Sequence, residues 1–299
     1  MKAEFAANAW PGMRDALNSG TPVVGILPCG ATEAHGPHLP LNTDVIISET
    51  MAAYALPLLA ARGIAATVLP PLAYMPANYA EAFSGTVSIR TATAKALLLD
   101  IAASLKAQGL ACVALANSHF DPANVAMLRE AVDEIRATGF PVAFPDFTRR
   151  KLAQTLTAEF QSGACHAGQY ETSLVMAARP DLVDDAARLS LQDNPASLTE
   201  AFAKGARTFE QAGGPNAYFG FPRHASAEEG IESYRTMAAA LVAAVEEALA
   251  ARGWTTTVSI GKSQLRVGGA RLRRDARYGI NLPDSGDCRL CEGNSGEID

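Results

Sequence analysis

Residues 30–44 read Gly-Ala-Thr-Glu-Ala-His-Gly-Pro-His-Leu-Pro-Leu-Asn-Thr-Asp and place Glu33, His35, His38 and Asp44 within fifteen positions. Neutral imidazole and carboxylate together form a donor set for zinc, manganese or iron. Glu33 and His35 are two apart, so extended backbone there sends both side chains to the same side. Two later segments carry the same residue types. Asn117-Ser118-His119-Phe120-Asp121 again sets a histidine and a carboxylate two apart, and Cys165-His166-Ala167-Gly168-Gln169-Tyr170-Glu171-Thr172-Ser173 holds a histidine and a glutamate. Each group has a plainer alternative. His38 fits a rigid polar loop, a histidine at a strand end is commonly a hydrogen-bonded structural group, and Glu171 fits a favourable charge in a helix's first turn.

The elements that must position these residues alternate between strand and helix. Val23 to Leu27 is a strand that empties into the 30–44 loop, and Asp44 opens a helical stretch from Val45 to Ala61, where N–H groups and the dipole favour a carboxylate. Trp10 to Asn18 precedes them as a short helix. Ile64 to Leu69 is a second strand, Leu72 to Ser88 is irregular, and Ala92 to Ala107 is a helix with Thr91 as its cap. Leu110 to Ala116 is an apolar run of the kind buried on both faces of a parallel sheet. Ala123 to Ala137 is a helix, Pro141 to Phe144 a short strand, and Arg149 to Phe160 a further helix. Within 188–222 only Ser197 to Ala212 shows a helical pattern. Ser226-x-x-Glu229 is a capping box that opens an alanine-rich helix ending near Gly253. The alternation predicts an α/β protein, a three-layer α/β/α arrangement with a mostly parallel central sheet and its site at the carboxyl ends of the strands.

The 30–44 run resembles the signature of the creatininase (creatinine amidohydrolase) family, a Glu-x-His-Gly-x-His-Leu-Pro run followed by a Thr-Asp pair. Phe83-Ser84-Gly85-Thr86 is similar to the family's Phe-Pro-Gly-Thr segment, with Ser84 in place of proline. The resemblance extends over roughly residues 10 to 250. It implies that Glu33, His35, Asp44, His119, Asp121 and Glu171 hold two divalent ions per subunit, zinc or manganese with iron as a further option, and that Asp44 bridges them. Asp121 stands where creatininase has a glutamate and is one methylene shorter, so either it reaches a metal or it binds through water. The resemblance also implies that His166 protonates the leaving nitrogen, with Asp121 beside it. Two ions ~3.5–4 Å apart hold a hydroxide and polarise a carbonyl at once. The expected reaction is hydrolysis of the C–N bond of a small cyclic amide, lactam or formamide. Phe120, Asn78 and Gln169 are the candidate substrate contacts.

The serine and histidine that many relatives carry before Phe-Pro-Gly-Thr are absent from 76–82, and Trp10 and Trp254 lie far from every motif. These departures argue against creatinine as the substrate. A deformylase, an enzyme that trims a peptide-derived cofactor, and an inactive binding or assembly subunit are the alternatives. The family implies a homo-oligomer, a hexamer above all.

The chain has 299 residues, 48% of them hydrophobic, enough for a sizeable core. Residues 1–254 are expected to form the metallohydrolase domain. Residues 255–299 form an extension in which 255–260 suits one more strand, while 268–299 is polar, weakly periodic and expected to be poorly ordered. A net charge of −6 without a large basic cluster argues against nucleic acid as a partner. The amino terminus lacks the apolar stretch of a signal peptide, and no segment reaches ~18 uninterrupted apolar residues, so neither export nor a membrane is expected. Five cysteines, an odd number, suggest reduced thiols in the cytoplasm. Cys288 and Cys291 form a lone C-x-x-C without the second pair a zinc ribbon requires.

Overall fold

The structure, a computed structural model, describes residues 1–254 together with 272–275 and 280–283. After α1 (Trp10–Leu17) come β1 (Val23–Cys29), α2 (Thr43–Ala60), β2 (Ala65–Val68), α3 (Thr91–Ala107), β3 (Cys112–Asn117), α4 (Pro122–Ala137) and β4 (Val142–Ala143). Six further helices follow: α5 (Arg150–Ala153), α6 (Ala158–Ser162), α7 (Gln169–Ala178), α8 (Asp185–Ser190), α9 (Leu198–Ala203) and α10 (Ala227–Ala250). Beyond them, β5 (Leu272–Asp275) and β6 (Ile280–Pro283) pair as an antiparallel ribbon, which sequence reasoning did not find. The expected strand at 255–260 and the Cys288 and Cys291 pair lie outside the described residues.

The four strands β1 to β4 form one parallel sheet in the order β2-β1-β3-β4. The step from β1 to β2 and the step from β2 to β3 cross the sheet in opposite directions. Right-handed connections therefore send α2 to one face and α3 to the other, which makes the expected three layers. Side-chain alternation sorts the core accordingly. Val24 and Ile26 of β1 with Cys112, Ala114 and Ala116 of β3 pack under α2, α7 and α10. Val23, Leu27 and Cys29 with Val113 and Leu115 pack under α3 and α4. The small residues of β3 on the first side let α10 lie close against the sheet.

The reversal of direction leaves a crevice beyond the carboxyl ends of β1 and β3, where open α/β sheets bind ligands. The last register pair there is Cys29 with Asn117, so the chain leaves both strands at the same level. Helix α2 is long and apolar enough to cross a membrane by length and composition, with a mean hydropathy of 1.2. Its position explains that character, since 72% of the stretch is buried between the sheet and α10.

Local expectations needed four corrections. Thr91 is the first residue of α3 rather than its cap; Arg90 holds the cap position and makes no side-chain capping bond. The helix expected over 149–160 breaks into α5 and α6, because Thr157 starts a new helix by accepting from Phe160 N–H. The pattern over 197–212 yields only α9. At α10, Ser226 Oγ accepts from Glu229 N–H, but the Glu229 carboxylate turns to Gln169 and Ser173 instead of closing the box. Among the described residues, Cys29, Cys112 and Cys165 are free thiols.

Helix α10 crosses α7 at Gly230, where a Cβ would overlap the Ser173 carbonyl and stand 2.9 Å from Ala177 Cβ. Glycine-to-alanine inside a helix ordinarily stabilises by about 0.5–1 kcal/mol, but forced overpacking costs about 1–3 kcal/mol. Gly230→Ala is thus expected to lower Tm. Gly12→Ala in α1, where nothing lies within 4 Å, should leave Tm unchanged or raise it. Calorimetry on both variants checks the opposite signs.

Candidate metal centre

The end of β1 and the start of α2 meet at Gly30. A Cβ there would stand 2.7 Å from the Asp44 carbonyl carbon and 2.7 Å from Val45 N, so only glycine permits the approach. Asp44 lies in the first turn of α2, and its Oδ2 accepts from Ala31 N–H at 3.2 Å. From the other strand, Ser118 Oγ donates to the Asp44 carbonyl at 2.6 Å. His119 follows directly, its backbone oxygen held by the side-chain amides of Asn117 and Asn124, each at 2.9 Å.

These anchors bring five of the six predicted ligands together. His119 Nδ1 lies 2.9 Å from Asp44 Oδ2 and 3.1 Å from Glu33 Oε1. His35 Nε2 lies 3.3 Å from Asp44 Oδ1, 3.5 Å from Glu171 Oε2 and 3.9 Å from Glu33 Oε1. All five residues are buried. The potential ligand atoms converge in overlapping sets within 4.8 Å: Glu33 with Asp44 and His119, His35 with Asp44 and Glu171, and Glu33 with His35 and His166. Asp44 is common to the first two sets, and its two oxygens face different imidazoles, Oδ2 toward His119 and Oδ1 toward His35.

The donors fit divalent cations. His35 Nδ1 is bonded to Glu33 O at 3.2 Å, His119 Nε2 to Pro76 O at 2.7 Å, and His166 Nε2 to Ala34 O at 2.9 Å. Each ring thus gives one N–H to a backbone carbonyl and aims its other nitrogen at the acids, the arrangement that orients metal-binding histidines. His35 Nε2 is buried without a hydrogen-bond partner, a cost that a bound cation removes. Three carboxylates and two or three imidazoles suit zinc, manganese or iron.

Without a cation the cluster shifts its own protons. Burial alone would lower the His35 pKa, but Asp44, Glu171 and Glu33 outweigh it and hold it up to about 10. The same balance, with Glu33 and Asp44, raises His119 well above the usual imidazole value. Burial pushes Glu171 up to about 8, although His35 opposes it. Asp44 is held below the ordinary carboxylate range because His35 and His119 overcome its burial. His166 goes the other way: burial, then the neighbouring His35, keep it neutral.

Asp121 does not join the cluster. It caps α4 by accepting from Ala123 N–H at 2.7 Å, and its other oxygen accepts from Asn78 N–H at 3.0 Å and Tyr79 N–H at 3.4 Å. A carboxylate held by three backbone donors is committed to positioning the 78–79 loop, though it still borders the cavity. Of the substrate candidates, Phe120 lines the cavity. The Gln169 amide instead donates to Glu229, and Asn78 Oδ1 accepts from Ser88 Oγ at 3.1 Å. His38 is a structural group, bonded through Nε2 to Thr172 Oγ1 at 2.9 Å.

The cavity over the cluster holds about 50 Å³ and is roofed by Tyr79, Leu198, Phe202 and Phe209, none of which sequence reasoning singled out. Tyr79 and Phe202 lie with ring centroids 4.0 Å apart, and Phe209 stacks 4.3 Å from the His166 ring. Phe202 and Phe209 fall in the 197–212 stretch with a helical pattern and Tyr79 in the irregular 72–88 stretch, and neither pattern marks a side chain as facing a site.

The family model for creatininase, described as creatinine amidohydrolase, matches residues 6–245. The mycofactocin precursor peptide peptidase of Mycolicibacterium smegmatis is 34% identical over 171 residues, 55% of this chain and 61% of that protein. The creatinine amidohydrolase of Pseudomonas putida is 31% identical over 177 residues, 53% of this chain and 65% of that protein. The matched stretch therefore spans less than two thirds of either relative. A solved structure of creatininase with manganese superposes with a TM-score of 0.65 at 25% identity, covering 83% of this chain and 98% of the other.

At neutral pH the metal-free chain carries protons on His35, with its pKa at about 10, and on Glu171, at about 8. Both protons must leave before a cation binds there. Divalent-ion affinity is therefore expected to rise with pH up to about 10 and to weaken as pH falls. Calorimetric titration with manganese or zinc in buffers of different ionisation enthalpy should show proton release that shrinks as pH rises. Affinity independent of pH, with no proton released, would exclude this cluster as the binding site.

Proposed function

This chain belongs to the creatininase family, and we propose that it is a metal-dependent amidohydrolase that cleaves the C–N bond of a small neutral amide. The observation that carries the reading is the set of three imidazoles, each held at one nitrogen by a backbone carbonyl and turned by the other toward Glu33, Asp44 and Glu171. Glu33, Asp44 and His119 would hold one divalent ion, and His35, Asp44 and Glu171 a second. Bound there, such ions acidify water and polarise an amide carbonyl.

The chain's own residues supply the rest. His166 is neutral, and its Nε2 proton is engaged by Ala34 O, which leaves the Nδ1 lone pair on the cavity side. Nδ1 can take a proton as the nucleophile forms and return it to the departing nitrogen, a relay worth typically about 10²–10⁴-fold. Phe120, Tyr79, Phe202 and Phe209 exclude water from that exchange.

The cavity supports a narrow substrate class. Its volume of about 50 Å³ is small against the ~300–1,000 Å³ of ordinary ligand pockets, which favours a small substrate. Among the described residues, its lining includes neither lysine nor arginine, so beyond the bound ions themselves a substrate carboxylate or phosphate would meet no cationic side chain of that kind. A cyclic amide, a lactam or a formamide fits both limits. A second reading, trimming of a peptide at an amide bond, is favoured by the 34% identity with the M. smegmatis peptidase; a peptide would have to displace the α9 roof. The convergence of five of the six expected ligands argues against an inactive binding subunit. We further propose assembly into a homo-oligomer, a hexamer on the family resemblance, with exposed Leu41, Tyr74 and Val87 as apolar contact surface; a monomer by light scattering at micromolar concentration would refute it.

His166→Ala should keep two ions per chain and lose about 10²–10⁴-fold in turnover. Activity within about threefold of wild type would make His166 structural. Screening cyclic amides, hydantoins, N-formyl compounds and short peptides with the manganese- or zinc-loaded protein decides between the readings. Hydrolysis of neutral small amides is the expected result, and turnover of peptides alone would favour the second.

A further inference from the structure

Glu159 is a buried carboxylate outside the cavity lining, with no place in any of the ligand sets. It sits on the short α6, yet its bonds go to two distant stretches of backbone. Oε1 accepts from Gln169 N–H at 2.8 Å and from Phe221 N–H at 2.6 Å, and Oε2 accepts from Tyr170 N–H at 2.6 Å. Gln169 and Tyr170 open α7, so the carboxylate occupies the end of the helix where free N–H groups and the dipole favour an anion. Gly168 offers no capping side chain. A Cβ on Gly168 would stand 2.7 Å from both Glu159 oxygens, and a Cβ on Gly220 would overlap Oε1, so two glycines make room for this one group.

What Glu159 clamps is the turn that carries the reacting side chains. Ala167, between His166 and Gly168, has a left-handed φ of 51°, a conformation that persists only where its surroundings impose it. Ala167 N–H donates to Glu171 Oε2 at 2.6 Å, and Phe219 N–H donates to His166 O at 2.8 Å. Holding the 169–170 and 221 backbone therefore fixes both sides of His166 and the first turn that bears Glu171. His166 Nδ1 and Glu171 Oε2 stand 4.0 Å apart as a result.

We infer that Glu159 is a positioning residue: through three backbone N–H groups it sets the tautomer and place of His166 and the reach of Glu171 into the cluster. The inference rests on the metal-centre reading only for the part that concerns Glu171. It distinguishes the two halves of the site, because no ligand of the set of Glu33, Asp44 and His119 is carried on the clamped turn, while the set of His35, Asp44 and Glu171 takes Glu171 from it.

The test compares wild type with Glu159→Gln and Glu159→Asp, the first nearly isosteric but without charge, the second charged but too short for all three donors. In the metal-free chain, imidazole ¹⁵N shifts should show His166 as a single Nε2–H tautomer in wild type and as a mixture in both variants. Titration with cobalt(II) at about pH 8 should give one binding step unchanged and the other weakened about 10–100-fold, the range for lost supporting contacts around a metal site. Glu159→Asp is expected to lie between wild type and Glu159→Gln. Unaltered His166 shifts in a folded Glu159→Gln chain would overturn the inference, as would equal weakening of both cobalt steps, since a general loss of stability touches both. A wild-type chain that binds no cobalt while the His166 shifts still respond would leave the clamp standing and remove the metal-centre reading instead.

Discussion

The Asp44 carboxylate lies between two imidazoles, with His35 Nε2 3.3 Å from one oxygen and His119 Nδ1 2.9 Å from the other. Those histidines follow two different strands, and Asp44 starts a helix. The contact therefore requires β1, β3 and α2 to end or begin at one level. The sheet order supplies that level by placing β1 and β3 side by side at the point where the winding reverses. Gly30 closes the remaining gap by letting backbone touch backbone, and Ser118 ties the second strand to the Asp44 carbonyl.

Gathering Glu33, Asp44 and Glu171 in a buried space is costly unless the charge is compensated. The compensation is built in several layers. His35 and His119 stand between the acids and have their pKa values raised by them. Glu171 retains a proton up to about pH 8 in the absence of a cation. The backbone carbonyls of Glu33, Ala34 and Pro76 take up the N–H on the far side of each ring, so the inward nitrogen is fixed in advance. With the inward nitrogens fixed in advance, a cation would exchange for these protons without rebuilding the site.

Around this rigid floor the covering segments follow different rules. The loop holding Asn78 and Tyr79 is held in place by Asp121, and the turn holding His166 is held by Glu159. Both are buried carboxylates whose partners are backbone N–H groups; Asp121 borders the cavity, while Glu159 acts from outside its lining. Helix α9 and the residues after it lack such an anchor and meet the site through ring contacts of Phe202 and Phe209. The candidate ligands thus sit on fixed elements, while the roof of the cavity is carried by short helices and loops.

Much of this was legible in the chain itself because it is local. The Val23–Cys29 run, the two-residue spacing of Glu33 and His35, and Asp44 in the first turn of α2 are properties of one continuous stretch. Helical and strand periodicity marked the alternation that forces helices onto both faces of a parallel sheet. What a polar side chain bonds to is a different matter, since its partners arrive from elsewhere in the chain. Asp121 and Glu171 both lie close to a histidine in sequence, yet the first is taken by the backbone of residues 78, 79 and 123, while the second reaches His35. Gln169, next but two to His166, turns outward because Glu229 of α10 stands there. Glu159 reads in sequence as an ordinary polar helix residue, and Phe202 and Phe209 as parts of the helical pattern over 197–212. Their roles exist only once α6 meets the start of α7 and α9 closes over the ends of β1 and β3. Backbone periodicity reports which face of an element is buried; only packing between distant segments determines which donor meets which acceptor in the buried space.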